Sequence, residues 1–223
     1  MRRVDFGYFV RPPAETGTGQ LRVDPALGYL IGHPQGMILF DTGLGGGPEE
    51  DAHYRIRRVG LPEALAAAGT RIGDLRLAAN CHLHFDHCGG NPLLGTIPVF
   101  VQEGELAAAR RTENYTLPEL LEGCRFEQVT GEAELLPGVY LLPTPGHPDG
   151  HQSLVVRRPD GVVIVAGQTH DTATGYAADQ LAWRAHADGH GQPLPVVPAW
   201  LESVQRLDPR LVYFAHDRSV WTP

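Results

Sequence analysis

Apolar residues come in short runs along this chain, several alternating with polar ones, and most are bounded by glycine or proline. That pattern reads as β-strands joined by turns. Nine segments qualify: VDFGYFV (4–10), LGYLIG (27–32), GMILFDTG (36–43), LRLAANC (75–81), IPVFV (97–101), GVYLLPT (138–144), SLVVRR (153–158), GVVIVAG (161–167) and RLVYFAH (210–216). Helical spacing is rarer. Leu61 to Ala68 has Pro62 in its first turn and Gly69 at its end, the usual start and stop residues of a helix. Glu103 to Arg111 is a second, and Pro198 to Leu207 a third, with Trp200, Leu201, Val204 and Leu207 on one face. The segment HADGHGQPLPVVP, His186 to Pro198, reads as an irregular surface loop. Hairpins early and strand–helix alternation later predict mixed sheets with helices on their outer faces, an α/β sandwich.

Composition narrows the classes. With 223 residues, 42% hydrophobic and 20% charged, the chain fits one globular domain spanning 1–223. The net charge is 18 − 26 = −8, and no basic run is longer than a pair such as Arg57-Arg58 or Arg157-Arg158, so no basic face for nucleic acid is expected. No stretch reaches the roughly 18 apolar residues of a membrane span, and MRRVDFGYFV reads as a first strand rather than a signal peptide. Three unpatterned cysteines, Cys81, Cys88 and Cys124, suit a reducing compartment. The expectation is a cytoplasmic protein.

The chemistry concentrates in CHLHFDHCGG, Cys81 to Gly90. On a strand, His82 and His84 would point to one side, with Asp86 and His87 following in a turn, so four ligand-type side chains could converge on one cavity. His147, after a strand and a Pro-Gly turn, can supply a third imidazole, and His216 again ends an apolar run. Imidazoles with a carboxylate suit zinc best, with iron, manganese or cobalt as alternatives.

Together, LFDTG with Asp41, HLHFDHCGGN, IPVFVQEGELAAA, LLPGVYLLPTPGHPDGHQSL and the late AHD resemble the metallo-β-lactamase superfamily, and within it the N-acyl homoserine lactonase branch. The resemblance covers about Leu27 to Asp217. It implies an αββα sandwich of two mixed sheets flanked by helices, with a two-metal site in the groove between sheet edges. By the same resemblance His82, His84 and His147 would hold the first metal and Asp86, His87 and His216 the second. Asp41 would brace the ligands, His151 would be structural, and a homodimer is possible.

One ligand position departs from the pattern. Where the family places an aspartate bridging both metals this chain has Gln168, and where the lactonases have a tyrosine three residues on it has Asp171. A neutral amide cannot bridge as a carboxylate does, so the second site should bind metal more weakly. Three readings follow: His170 or Asp171 supplies the missing ligand; only the three-histidine site fills, leaving an open position for water; or the protein binds metal or ligand without hydrolysis. As an enzyme it would open a lactone of the acyl homoserine lactone kind, or cleave a related ester, by a metal-bound hydroxide, with Asp86 and Asp171 as candidate catalytic carboxylates. One-metal thioester hydrolases or sulfur dioxygenase-like enzymes of the same fold are the alternative; the helical C-terminal region expected of the former is not seen in the seven residues after His216. An acyl tail would need an apolar groove, for which Phe6, Tyr8, Phe9, Tyr29 and the TATGYAADQLAW segment are candidates.

Overall fold

A computed structural model describes residues 1–190 and 193–223. Its strands are β1 (Arg2–Arg11), β2 (Arg22–His33), β3 (Gly36–Phe40), β4 (Arg57–Arg58), β5 (Leu75–Ala79), β6 (Val99–Gln102), β7 (Phe126–Val129), β8 (Ala133–Leu136), β9 (Val139–Pro143), β10 (Gln152–Arg158), β11 (Gly161–Val165), β12 (Pro209–Tyr213) and β13 (Val220–Trp221). Its helices are α1 (Pro48–His53), α2 (Leu61–Ala67), α3 (Phe85–Cys88), α4 (Glu103–Arg111), α5 (Ala173–Ala187) and α6 (Trp200–Arg206).

The strands build two mixed sheets, ordered β4-β1-β2-β3-β5-β6-β7 and β13-β12-β11-β10-β9-β8. Period-two side-chain alternation assigns each strand's two faces. On β2 and β3, Leu27, Tyr29, Ile31, Ile38 and Phe40 point inward and meet Leu141, Leu154 and Val165 of the other sheet in a core between the layers. Leu30 and Leu39 point outward, beneath Leu61, Ala64 and Leu65 of α2. On the far face Val155, Ile164 and Val212 lie beneath Tyr176 of α5 and Leu201 and Val204 of α6. The result is the αββα sandwich anticipated from the sequence.

Each of the nine expected strands overlaps an observed one. The four not anticipated, β4, β7, β8 and β13, are two to four residues long and are the four sheet edges, where one-sided burial leaves little apolar signal. Helix α5 was also missed. It occupies TATGYAADQLAW, and only Ala173, Tyr176 and Ala182 along it are buried, so small residues blur its stripe. Because α5 runs to Ala187, the irregular segment begins two residues later than His186; Gly191 and Gln192 within it lie outside the described residues. Among the described residues, no helix is long and apolar enough to cross a membrane.

Candidate metal centre

The histidine motif does not sit on a strand. The parallel ladder of β5 with β3 and β6 ends at Ala79, and the backbone beyond is held by side chains. Asp41 Oδ1 accepts from the Cys81 N–H (2.8 Å), Asn80 Nδ2 donates to the His87 carbonyl (2.9 Å), and Glu105 Oε1 accepts from the Leu83 N–H (2.7 Å). His82 and His84 therefore project from a pinned loop, whereas Asp86 and His87 lie in the single turn of α3, for which His84 is the N-terminal flanking residue. The spacing that would have put two histidines on one strand face instead spans loop and helix.

His147, on the loop after β9, comes to the same end of the sandwich, and His216 arrives from the end of β12. Two clusters form there, His82 with His84 and His147, and Asp86 with His87 and His216. In each, one donor atom per residue lies within 4.8 Å of the others. In the second cluster Asp86 Oδ2 is 3.5 Å from His87 Nε2 and 3.3 Å from His216 Nε2, and the two nitrogens are 3.2 Å apart. Those separations match the edge of a tetrahedron with ligands at about 2.0–2.1 Å.

The three-histidine cluster fits a metal ion. His82 Nε2 is buried without any hydrogen-bond partner, an arrangement that is costly unless something binds it. Burial, reinforced by neighbouring imidazoles, holds His82 well below the ordinary imidazole pKa. It brings His84 down to about 4 and lowers His147 as well. All three rings are thus neutral near pH 7, as ligation requires. Cys81 also lies near His82 and His87, but burial pushes its thiol up, and its Sγ meets their Nδ1 atoms at 3.2 Å, away from the nitrogens that face the clusters. Asp41 braces the site as expected: its Oδ2 is 3.1 Å from His87 Nδ1. His151 is buried, pairing Nδ1 with Thr144 Oγ1 (2.8 Å) and accepting from the Gln168 backbone N–H at Nε2 (3.1 Å).

Gln168 is brought into the site. Gly167 takes a left-handed turn at the end of β11, with no room for a side chain because a Cβ would lie 2.5 Å from that of Cys81, and this turn aims Gln168 at His87. Its amide lies 3.1 Å from His87 Nε2. His170 is engaged elsewhere: Nε2 pairs with Asp179 (3.0 Å), and the ring packs on Tyr176 and Trp200. Asp171 is held by Arg11 (3.2 Å) and Arg22 (2.7 Å), both of which also grip Asp24.

This arginine–aspartate ring escaped sequence reasoning. A bulge at Gly7 shifts the β1 register between Asp5 and Tyr8, so Phe9 and Arg11 share the buried face, and Arg11 lies opposite Arg22 across the hairpin. An arginine two residues after a buried phenylalanine, mirrored by Arg22 and Asp24, was the available signal.

Arg11, Phe9, Tyr54, Asp86, Tyr115, His147 and Gln168 border a cavity of about 210 Å³. Phe85, Asn114 and Tyr115 connect it to a groove of about 480 Å³ along Ala109 and Leu117. The aromatic groove expected from sequence is corrected accordingly. Phe6 and Tyr29 are 1% exposed core residues, Tyr8 faces another groove beside Arg57, and Tyr176 of the α5 segment packs into the far core; of that set only Phe9 reaches the cavity.

Comparison with known proteins agrees with this architecture. The metallo-beta-lactamase superfamily profile matches residues 21–216. An N-acyl homoserine lactonase of Bacillus cereus is 31% identical over 222 aligned positions, covering 89% of this chain and 84% of that protein. A crystal structure of a quorum-quenching N-acyl homoserine lactone hydrolase superposes with a TM-score of 0.72 at 26% identity, covering 97% of this chain and 91% of the other. A dizinc quorum-quenching lactonase, AidC, shares the fold with a TM-score of 0.68 at 14% identity, covering 99% and 88% of the two chains. With a profile match over most of its length laid on this fold, the chain belongs to the metallo-beta-lactamase superfamily, among relatives that are N-acyl homoserine lactonases.

Proposed function

We propose that the protein is a metal-dependent hydrolase that opens the ring of an N-acyl homoserine lactone. The observation that carries this reading is the convergence of His82, His84 and His147 around an unpartnered His82 Nε2, beside a cavity, in a chain whose similar relatives are lactonases. The three imidazoles would hold one transition-metal ion, with zinc the expected choice. Bound there, such an ion makes water a nucleophile near neutral pH and polarises an acyl oxygen.

The chain's own residues supply the rest. Asp86, which borders the cavity, carries a proton to the ring oxygen that leaves as the homoserine hydroxyl. Arg11 places a fixed guanidinium at the cavity edge, oriented by Asp24 and Asp171, so Asp171 acts as a positioning residue with its carboxylate occupied by two arginines. Tyr115 packs on His84 with ring centroids 4.7 Å apart and donates to Glu105, which anchors the motif through Leu83. The acyl tail lies along the groove lined by Phe85, Ala109 and Leu117. Free Cys81, Cys88 and Cys124 suit a reducing compartment, and on that ground we assign the reaction to the cytoplasm.

The test is hydrolysis of a synthetic N-acyl homoserine lactone with the ring-opened acid as product. A chelator should abolish it, and zinc, cobalt or manganese should restore it. Metal-replete protein that leaves every lactone and ester intact would contradict the reading.

A further inference from the structure

The two donor clusters are finished differently. His82 Nε2 has no partner from the chain, so the first cluster stands open. The second is closed by the protein itself. His216 Nδ1 faces the Pro25 carbonyl at 2.9 Å and His87 Nδ1 faces Asp41 at 3.1 Å, and since both partners only accept, each Nδ1 carries the hydrogen. Both Nε2 atoms, 3.2 Å apart, then face one point. The Gln168 carboxamide occupies that point. With its nitrogen inward it donates to His87 Nε2 (3.1 Å) and to His216 Nε2 (3.2 Å), while its oxygen accepts from Arg11 at 3.1 and 3.3 Å. The reverse orientation turns the oxygen toward His87 Nε2 (3.1 Å) and leaves Arg11 without those bonds.

The amide is not free to leave. Its backbone N–H is tied to His151, the residue before it is wedged against Cys81, and Arg11 behind it is fixed by Asp24 and Asp171. An ion entering the second cluster would have to displace two N–H donors and break the bonds that tie the amide oxygen to Arg11.

We infer that the protein binds a single metal ion, at His82, His84 and His147, and that Gln168, backed by Arg11, takes the place of a second ion against His87 and His216. The inference rests on the metal-dependent reading above and deepens it, because Asp86 then owes nothing to a metal and is free for proton transfer.

Zinc content after saturation and desalting, with anomalous diffraction to locate the ion, tests it. Wild-type protein is expected to hold one equivalent, between His82, His84 and His147. His216→Asn should keep that equivalent and His84→Asn should lose it. Gln168→Asp, or Gln168→Glu should the shorter side chain impair folding, should raise the content from one to two. Two equivalents in wild-type protein, with density among Asp86, His87 and His216, would overturn the inference while leaving the hydrolase reading intact. One equivalent in wild type that neither acidic variant raises would overturn the role of Gln168. Protein without metal would defeat both readings.

Discussion

Single residues at the centre do their work through what they hold. Asp41 sits in a left-handed conformation (φ 62°) that aspartate and asparagine tolerate better than most residues, and there it binds both the Cys81 N–H and the His87 ring. Asp41→Asn keeps the shape but lets the imidazole turn or change tautomer, and should lower lactone hydrolysis about 10–100-fold, as loss of comparable bracing groups does. Arg11 is buried against Asp24, so Arg11→Met leaves a carboxylate with only Arg22 for company. Urea denaturation should show a loss of about 2–3 kcal/mol, somewhat less than for a buried charge stripped of all partners.

At the level of elements, much of the centre was legible because its donors cluster in one ten-residue motif and at the ends of apolar runs. His82, His84, Asp86, His87, His147 and His216 could be picked out as chemistry before any contact was known. What stayed hidden was created by geometry between elements. Arg11 and Arg22 meet only because the Gly7 bulge resets the β1–β2 register, and Asp171 joins them from 149 residues beyond Arg22. The groove proposed for the acyl tail could not be read from the sequence because burial decides it: Phe6 and Tyr29 are consumed by the core, whereas the end of α4 and the segment after it stay open. Thr112 lines that groove and is solvent-exposed, so Thr112→Trp should fill it without disturbing the core. kcat/KM for a decanoyl lactone should fall at least several-fold while that for a butanoyl lactone changes little. Equal losses for both would place the tail elsewhere.

Across the whole molecule, the sandwich serves to bury imidazoles that must stay neutral. His84, held at about 4 against an ordinary 6.5, binds its proton more readily in the unfolded chain, and burial acts on His82 and His147 in the same direction. The share of stability that these three rings contribute in chelator-stripped protein is therefore intact above pH 6.5 and declines as pH falls from there toward 4, whereas His87, raised beside Asp86 and Asp41, contributes in the opposite direction. Melting temperature against pH should show this decline, displaced to lower pH when zinc is bound because the ion competes with the proton for the same nitrogens.

The most direct test of the account is a titration of chelator-stripped protein with zinc while ring opening of an N-acyl homoserine lactone is followed by acid release. The account predicts no hydrolysis without metal and activity that climbs to a plateau at one equivalent. Hydrolysis by the stripped protein, or none at any zinc concentration, would contradict it.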